Sequence, residues 1–186
     1  MKIYTKAGDK GRTSLASGKK VSKANDLVDL YGTCDELNSV IGSAISFLNS
    51  KSSLTEPLLA VQHTLFELGA ELAGFRQKGE EVSIIHQGDI SLLEDHIDGL
   101  SQKLEVMRSF ILPGGVQSAS MLHLARTICR RLERAMVRAR ESEVGIFDNS
   151  LTYVNRLSDF LFTTARYANL EEGVEDIKWT SRTKKK

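Results

Sequence analysis

Residues 1–23 carry six lysines and Arg12 against a single acid, Asp9, a local balance of +6. Within them the run Thr5-Lys6-Ala7-Gly8-Asp9-Lys10-Gly11-Arg12-Thr13-Ser14 mixes glycines, hydroxyls and cations. Glycines let backbone amides come close to an anion, hydroxyls donate hydrogen bonds, and lysines add charge. That is the chemistry of a phosphate cradle, without the Walker spacing G-x-x-x-x-G-K-S/T. A glycine-bearing turn on a basic surface accounts for the same run equally well. A second basic cluster is Arg126, Arg130, Arg131, Arg134, Arg138 and Arg140. On a helix Arg126, Arg130 and Arg134 form one row spanning about 12 Å, comparable with a nucleotide's phosphate chain. Glu133 lies within a turn of Arg130 and is placed to orient it. The alternative is an exposed salt-bridge ladder. Against it, guanidinium groups stacked at i, i+4 and i+8 repel one another unless anions lie between them.

Other polar groups sit beside apolar stripes. Asn155 and Asp159 share a helical face, and Asp35, Glu36 and Asn38 flank another stripe. A carboxylate there is costly without a partner, and the arginine row is the obvious source of one. Phe110 precedes Pro113-Gly114-Gly115, although spacing alone favours a core role for it. The four histidines show no i, i+4 pairing and no H-E-x-x-H, and the two cysteines are far apart, so a zinc site is not expected. Cys34 and Cys129 fall on apolar stripes and read as packing. His123 reads as a hydrogen-bonded core histidine.

The elements that must position these groups are helical. Only two prolines occur, Pro57 and Pro113, and apolar residues recur at steps of three and four. The pattern predicts helices over about 26–48 (N-capped at Asp26), 57–73, 89–106, 117–143 and 149–170, with Gly74 as a stop and 76–88 as a loop. Residues 1–25 read as an extended, loop-rich arm with no strand alternation. Short links between long helices make an antiparallel, up-down, ferritin-like all-α bundle of five helices. The chain is expected to be one domain over 1–186: an arm at 1–25, the bundle at 26–170 and a tail at 171–186 ending in Lys184-Lys185-Lys186.

Composition sets the outer bounds. The chain has 186 residues, 41% hydrophobic and 26% charged, with a net charge of +1. One ordinary core suffices at this length. A near-neutral chain with two concentrated basic patches suits a small anion better than nucleic acid. No apolar run approaches the roughly 20 residues of a membrane span. No signal-peptide stretch is evident, and two lone cysteines fit a cytoplasmic setting.

Five segments in order resemble one family. They are Lys2-Ile3-Tyr4-Thr5-Lys6-Ala7-Gly8-Asp9-Lys10-Gly11, Gly32-Thr33-Cys34-Asp35-Glu36-Leu37-Asn38-Ser39, Phe110-Ile111-Leu112-Pro113-Gly114-Gly115, Arg126-Thr127-Ile128-Cys129-Arg130-Arg131-Leu132-Glu133-Arg134 and Asn155-Arg156-Leu157-Ser158-Asp159. Together they resemble the PduO-type ATP:cob(I)alamin adenosyltransferases, from Lys2 to about Asn169. The resemblance implies a homotrimer of five-helix bundles with sites between subunits. It implies transfer of the 5′-deoxyadenosyl group of ATP to cob(I)alamin, with Mg²⁺ as helper and triphosphate as product. ATP would be held by Thr5, Lys6, Ala7 and Gly8, by Thr13, Ser14 and Lys23, and by Arg130, Arg131, Leu132, Glu133, Arg134 and Asn155. Asp35 and Arg126 match an inter-subunit salt bridge, and Phe110 matches the aromatic that closes the lower face of the corrin. No metal ligands on the protein are implied. A flavoprotein reductase and a cobalamin-dependent acceptor enzyme would be the partners. Ala7, Leu27 and Cys34 depart from the usual pattern, which bears on nucleotide affinity without removing a charged site residue.

Overall fold

The computed structural model describes residues 2–4, 6–76, 82–142 and 145–183. Five helices lie among them: α1 (Asp26–Ser46), α2 (Thr55–Leu72), α3 (Gln87–Ser101), α4 (Gln117–Glu141) and α5 (Asp148–Glu171). Each follows the expected apolar period, with shifts at the ends that have local causes. The α1 cap is Asn25, not Asp26: its side chain accepts the Leu27 N–H at 3.1 Å. Asp26 then falls in the first turn, where its charge meets the positive end of the helix dipole. In α2, Pro57 sits in the first turn, where a missing N–H costs nothing. Gly74 ends that helix at φ 86°. Asp89 accepts the His86 N–H at 2.7 Å and so starts α3 earlier than expected. That helix stops at Ser101, short of the predicted Val106. The predicted α4 terminus at Glu143 lies outside the described residues, as do the terminal lysines.

The arm differs from expectation. It contains two short strands, β1 (Arg12–Ser14) and β2 (Lys20–Ser22), paired antiparallel with Arg12 opposite Ser22, Thr13 opposite Val21 and Ser14 opposite Lys20. Leu15 and Val21 are its buried anchors. Strands of three residues are too short for alternation to register.

Packing runs α2–α1–α4–α5–α3, with α4 touching both α1 and α5 most extensively. Leu37, Ile41, Leu58, Leu68, Leu122, Leu132, Leu157 and Leu161 are wholly buried between them. Burying each such side chain is worth about 1.5–3 kcal/mol. Cys34 and Cys129 lie in the same core and donate their thiols to Leu65 O at 3.3 Å and Val154 O at 3.2 Å. Burial pushes the Cys34 thiol up to about 12, with Asp35 adding to the shift, and also pushes Cys129 up.

The two ends of the bundle are distinct. The Ala16 N–H donates to Ala73 O at 3.0 Å, anchoring the arm at the end of α2. There Arg76 donates to Gly145 O at 3.3 Å and lies 4.9 Å over the Phe147 ring, beside the α4–α5 link. The arm therefore shares an end with the C-terminus of α4. The Phe110 segment leads into the N-terminus of α4. The 25 residues of α4 separate those ends by about 37 Å. Among the described residues no helix is long and apolar enough to cross a membrane.

Candidate functional site

The arm's turn is built by backbone geometry. Lys6 takes a left-handed φ of 60°, Asp9 N–H donates to Lys6 O at 3.4 Å, and Gly11 N–H donates to Gly8 O at 3.1 Å. The Lys23 N–H donates to Gly11 O at 2.9 Å, which folds the start of α1 onto the turn. A Cβ at Gly8 would stand 3.1 Å from the Lys23 ammonium. Gly8 and Lys23, separate in sequence, are thus adjacent in space. Lys6, Ala7, Gly8 and Ser14 are exposed or nearly so, and Thr13 is half-buried opposite Val21. Thr5 lies outside the described residues.

Along α4, Arg130 and Arg134 are exposed, and among the described residues neither makes an ion pair. Arg126 is half-buried, 6.0 Å over the Phe162 ring, and its Nε has no hydrogen-bond partner. Burial lowers its pKa, and the neighbouring Arg130 charge lowers it further. That second effect is the mutual repulsion expected of the row.

Several expected pairings are rearranged. Glu133 accepts from Asn155 Nδ2 at 2.7 Å, across α4 and α5, so it is held away from the orienting role on Arg130. Arg131 pairs with Glu36 on α1. Asp159 pairs with Arg156 at 3.2 Å, which also reaches Glu94 at 3.0 Å. Asp35 is exposed and makes no ion pair among the described residues. Leu132 is 0% exposed and packs in the core. His123 is a core histidine as expected, edge-on to Phe162 at 5.9 Å, but neither ring nitrogen has a partner. Burial, with help from the Arg126 charge, pushes its pKa down to about 4.

Phe110 contradicts the core reading that spacing favoured. It is 75% exposed. Its ring meets Trp179 edge-on at 6.5 Å, and its carbonyl accepts the Trp179 N–H at 2.7 Å. Sequence reasoning passed over Asn169, Asp176 and Trp179 altogether. The one available signal was a polar Asn in the last apolar turn of α5.

A glycine-bearing basic arm and, among the described residues, exposed α4 arginines without ion pairs are a donor set for a polyphosphate. Residues 3–168 match the family model described as cobalamin adenosyltransferase, and the chain belongs to that family. It is 42% identical over 182 residues to the corrinoid adenosyltransferase of Bacillus subtilis, spanning 96% of this chain and 92% of the relative. It is 39% identical over 181 residues to the human corrinoid adenosyltransferase, spanning 94% and 72%. A solved variant of the PduO-type ATP:corrinoid adenosyltransferase from Lactobacillus reuteri, complexed with cobalamin and ATP, matches with a TM-score of 0.87 and 40% identity. That match covers 97% of this chain and 100% of the other.

Proposed function

We infer that this chain is an enzyme that transfers the 5′-deoxyadenosyl group of ATP to the cobalt of cob(I)alamin, releasing triphosphate and forming adenosylcobalamin. The observation that carries this reading is the pair of exposed guanidiniums at Arg130 and Arg134, without an ion pair among the described residues, on a chain of this family. Cobalt(I) supplies an electron pair to C5′, the C5′–oxygen bond breaks, and triphosphate departs with that bond's pair. The metal ends formally as cobalt(III). So strong a nucleophile needs no activated serine, cysteine or general base. The protein's task is to hold C5′ in line and to neutralise the departing charge.

Lys6, Lys23, Arg130 and Arg134 are the cations for that task. Backbone groups at Ala7 and Gly8, the hydroxyls of Thr5, Thr13 and Ser14, and the Asn155 amide complete the grip. Arg131 and Glu133 act from behind, since Glu36 and Asn155 already engage them. Mg²⁺ fits as an ion carried by the phosphates, which keeps most of its ligands as water and phosphate oxygens. Among the described residues no group of three or more His, Cys, Asp or Glu is gathered to hold a metal, and the basic donor set suits a nucleotide-borne ion. When bound, it would add to neutralisation of the leaving group. Phe110 would lie under the corrin and exclude an axial ligand, which eases reduction of cobalt(II).

The separation of the bundle's ends supports an assembled site. The arm and the Phe110 segment of one chain lie at opposite ends of α4, which is about 37 Å long, more than a nucleotide spans. A site that uses both is completed by another copy, which supports the homotrimer. Exposed Asp35 and the half-buried Arg126 guanidinium, which makes no ion pair among the described residues, suit a pair formed between copies. Asp35→Asn is expected to shift sedimentation toward smaller species on dilution and to raise the KM for ATP. If both stay as in the parent chain, that pairing is absent. Two free cysteines suit a cytoplasmic setting.

The deciding experiment mixes the protein with ATP, Mg²⁺ and cob(I)alamin. The visible spectrum should report cobalt–carbon bond formation, with triphosphate released in equal amount. Binding of both substrates without that spectral change would make the chain a carrier instead.

A further inference from the structure

The Phe110 segment is held at both of its ends by groups that the reaction does not use. On one side it pairs with the chain beyond α5. The Leu112 N–H donates to Ile177 O at 2.8 Å and the Trp179 N–H donates to Phe110 O at 2.7 Å. Ile111 and Lys178 form the antiparallel bridge between these two bonds. On the other side the turn at 114–116 closes on Asn169, which is 2% exposed. Its Oδ1 accepts the Val116 N–H at 3.0 Å and its Nδ2 donates to Gly114 O at 3.1 Å. Gly115 sits between them at φ 107°, and a Cβ there would collide with the Asn169 amide. The approach is therefore open to glycine alone.

Asp176 joins the two halves. Its Oδ2 accepts from Arg166 Nε at 2.6 Å, in a pair only 12% and 16% exposed, and its Oδ1 lies 3.5 Å from Asn169 Nδ2. Arg166 also donates to Glu105 O at 2.9 Å, tying in the chain that leads to Phe110. A shielded, charge-assisted contact of this kind holds geometry far better than an exposed surface pair. It stands next to the first residue of the strap that grips Ile111 and Phe110.

We infer that Asp176, acting through Arg166 and Asn169, is a positioning residue that locks the 176–179 strap onto the Phe110 segment and so fixes the height of the Phe110 ring. This rests on the reading of Phe110 as the lower-face aromatic. Asp176 touches neither substrate. Its part is to keep an exposed ring, otherwise supported by a single aromatic neighbour, from swinging away when the metal's axial ligand returns.

The test uses the whole chain carrying Asp176→Ala, with Trp179→Pro as a second variant. The latter removes both the strap's hydrogen bond to Phe110 O and the ring that meets Phe110, outside the helical core. Three quantities are read: amide exchange at Leu112, the paramagnetic resonance of cob(II)alamin bound with ATP, and kinetics from cobalt(II) and from pre-reduced cobalt(I). Both variants are expected to speed Leu112 exchange, reduce the four-coordinate cobalt(II) signal, and slow turnover from cobalt(II) about tenfold. KM for ATP and turnover from cobalt(I) should stay within about twofold of the parent. Unchanged Leu112 exchange overturns the lock. Faster exchange with a full four-coordinate signal overturns its action through Phe110. A Phe110→Ala chain that itself keeps that signal removes the lower-face reading instead, and Leu112 exchange then decides the strap alone.

Discussion

Arg130→Ala lowers turnover by about 10- to 150-fold while the bundle stays folded. The lower figure is the loss of one charge-assisted hydrogen bond of about 1.5 kcal/mol, and the upper of about 3. The fold survives because Arg130 is exposed and makes no ion pair among the described residues, so its removal orphans nothing. It also relieves Arg126 of a like charge. Thermal melting should therefore hold or rise slightly without nucleotide, while the stabilisation that ATP adds should shrink. Steady-state kinetics equal to the parent's would remove Arg130 from the site. A drop in kcat at constant KM would mean that it acts on the charge developing during the reaction, beyond holding the ground state.

Phe110→Ala divides the reaction in two. Starting from cobalt(II), the variant loses most of its turnover, because an axial ligand returns and the metal resists reduction. Starting from chemically reduced cobalt(I), which needs no axial protection, the loss is far smaller. Stability changes little, since the ring is 75% exposed and packs chiefly on Trp179. Equal losses in both assays would rule out control of axial ligation. They would leave Phe110 as a simple contact surface for the corrin.

The helices were legible because the 3.6-residue period runs unbroken through stripes such as Leu30–Cys34–Leu37–Ile41, each of them buried in the folded chain. What escaped was non-local. Trp179 reaches Phe110 across the whole of α4 and α5, and no spacing in the sequence marks that pairing. Glu133 illustrates competition: one turn from Arg130 on its own helix, it is taken by Asn155 from the next one. Leu132 shows how a helix divides a run of neighbours. A contiguous motif on a helix points its members in different directions, so the residue between two exposed arginines faces the core. The arm's hairpin was not legible, because among its described residues only Leu15 and Val21 are buried. The closeness of Gly8 to Lys23 comes from that hairpin and from the Lys23 N–H to Gly11 O bond.

The two thiols in the middle of the bundle have a practical use. Both are walled off from solvent and held as protonated thiols by their surroundings. An alkylating reagent can reach them only when the helices part, since the thiolate is the reactive form. The native enzyme should therefore survive such reagents at neutral pH. The rate at which label accumulates then becomes a built-in clock for how often the bundle opens.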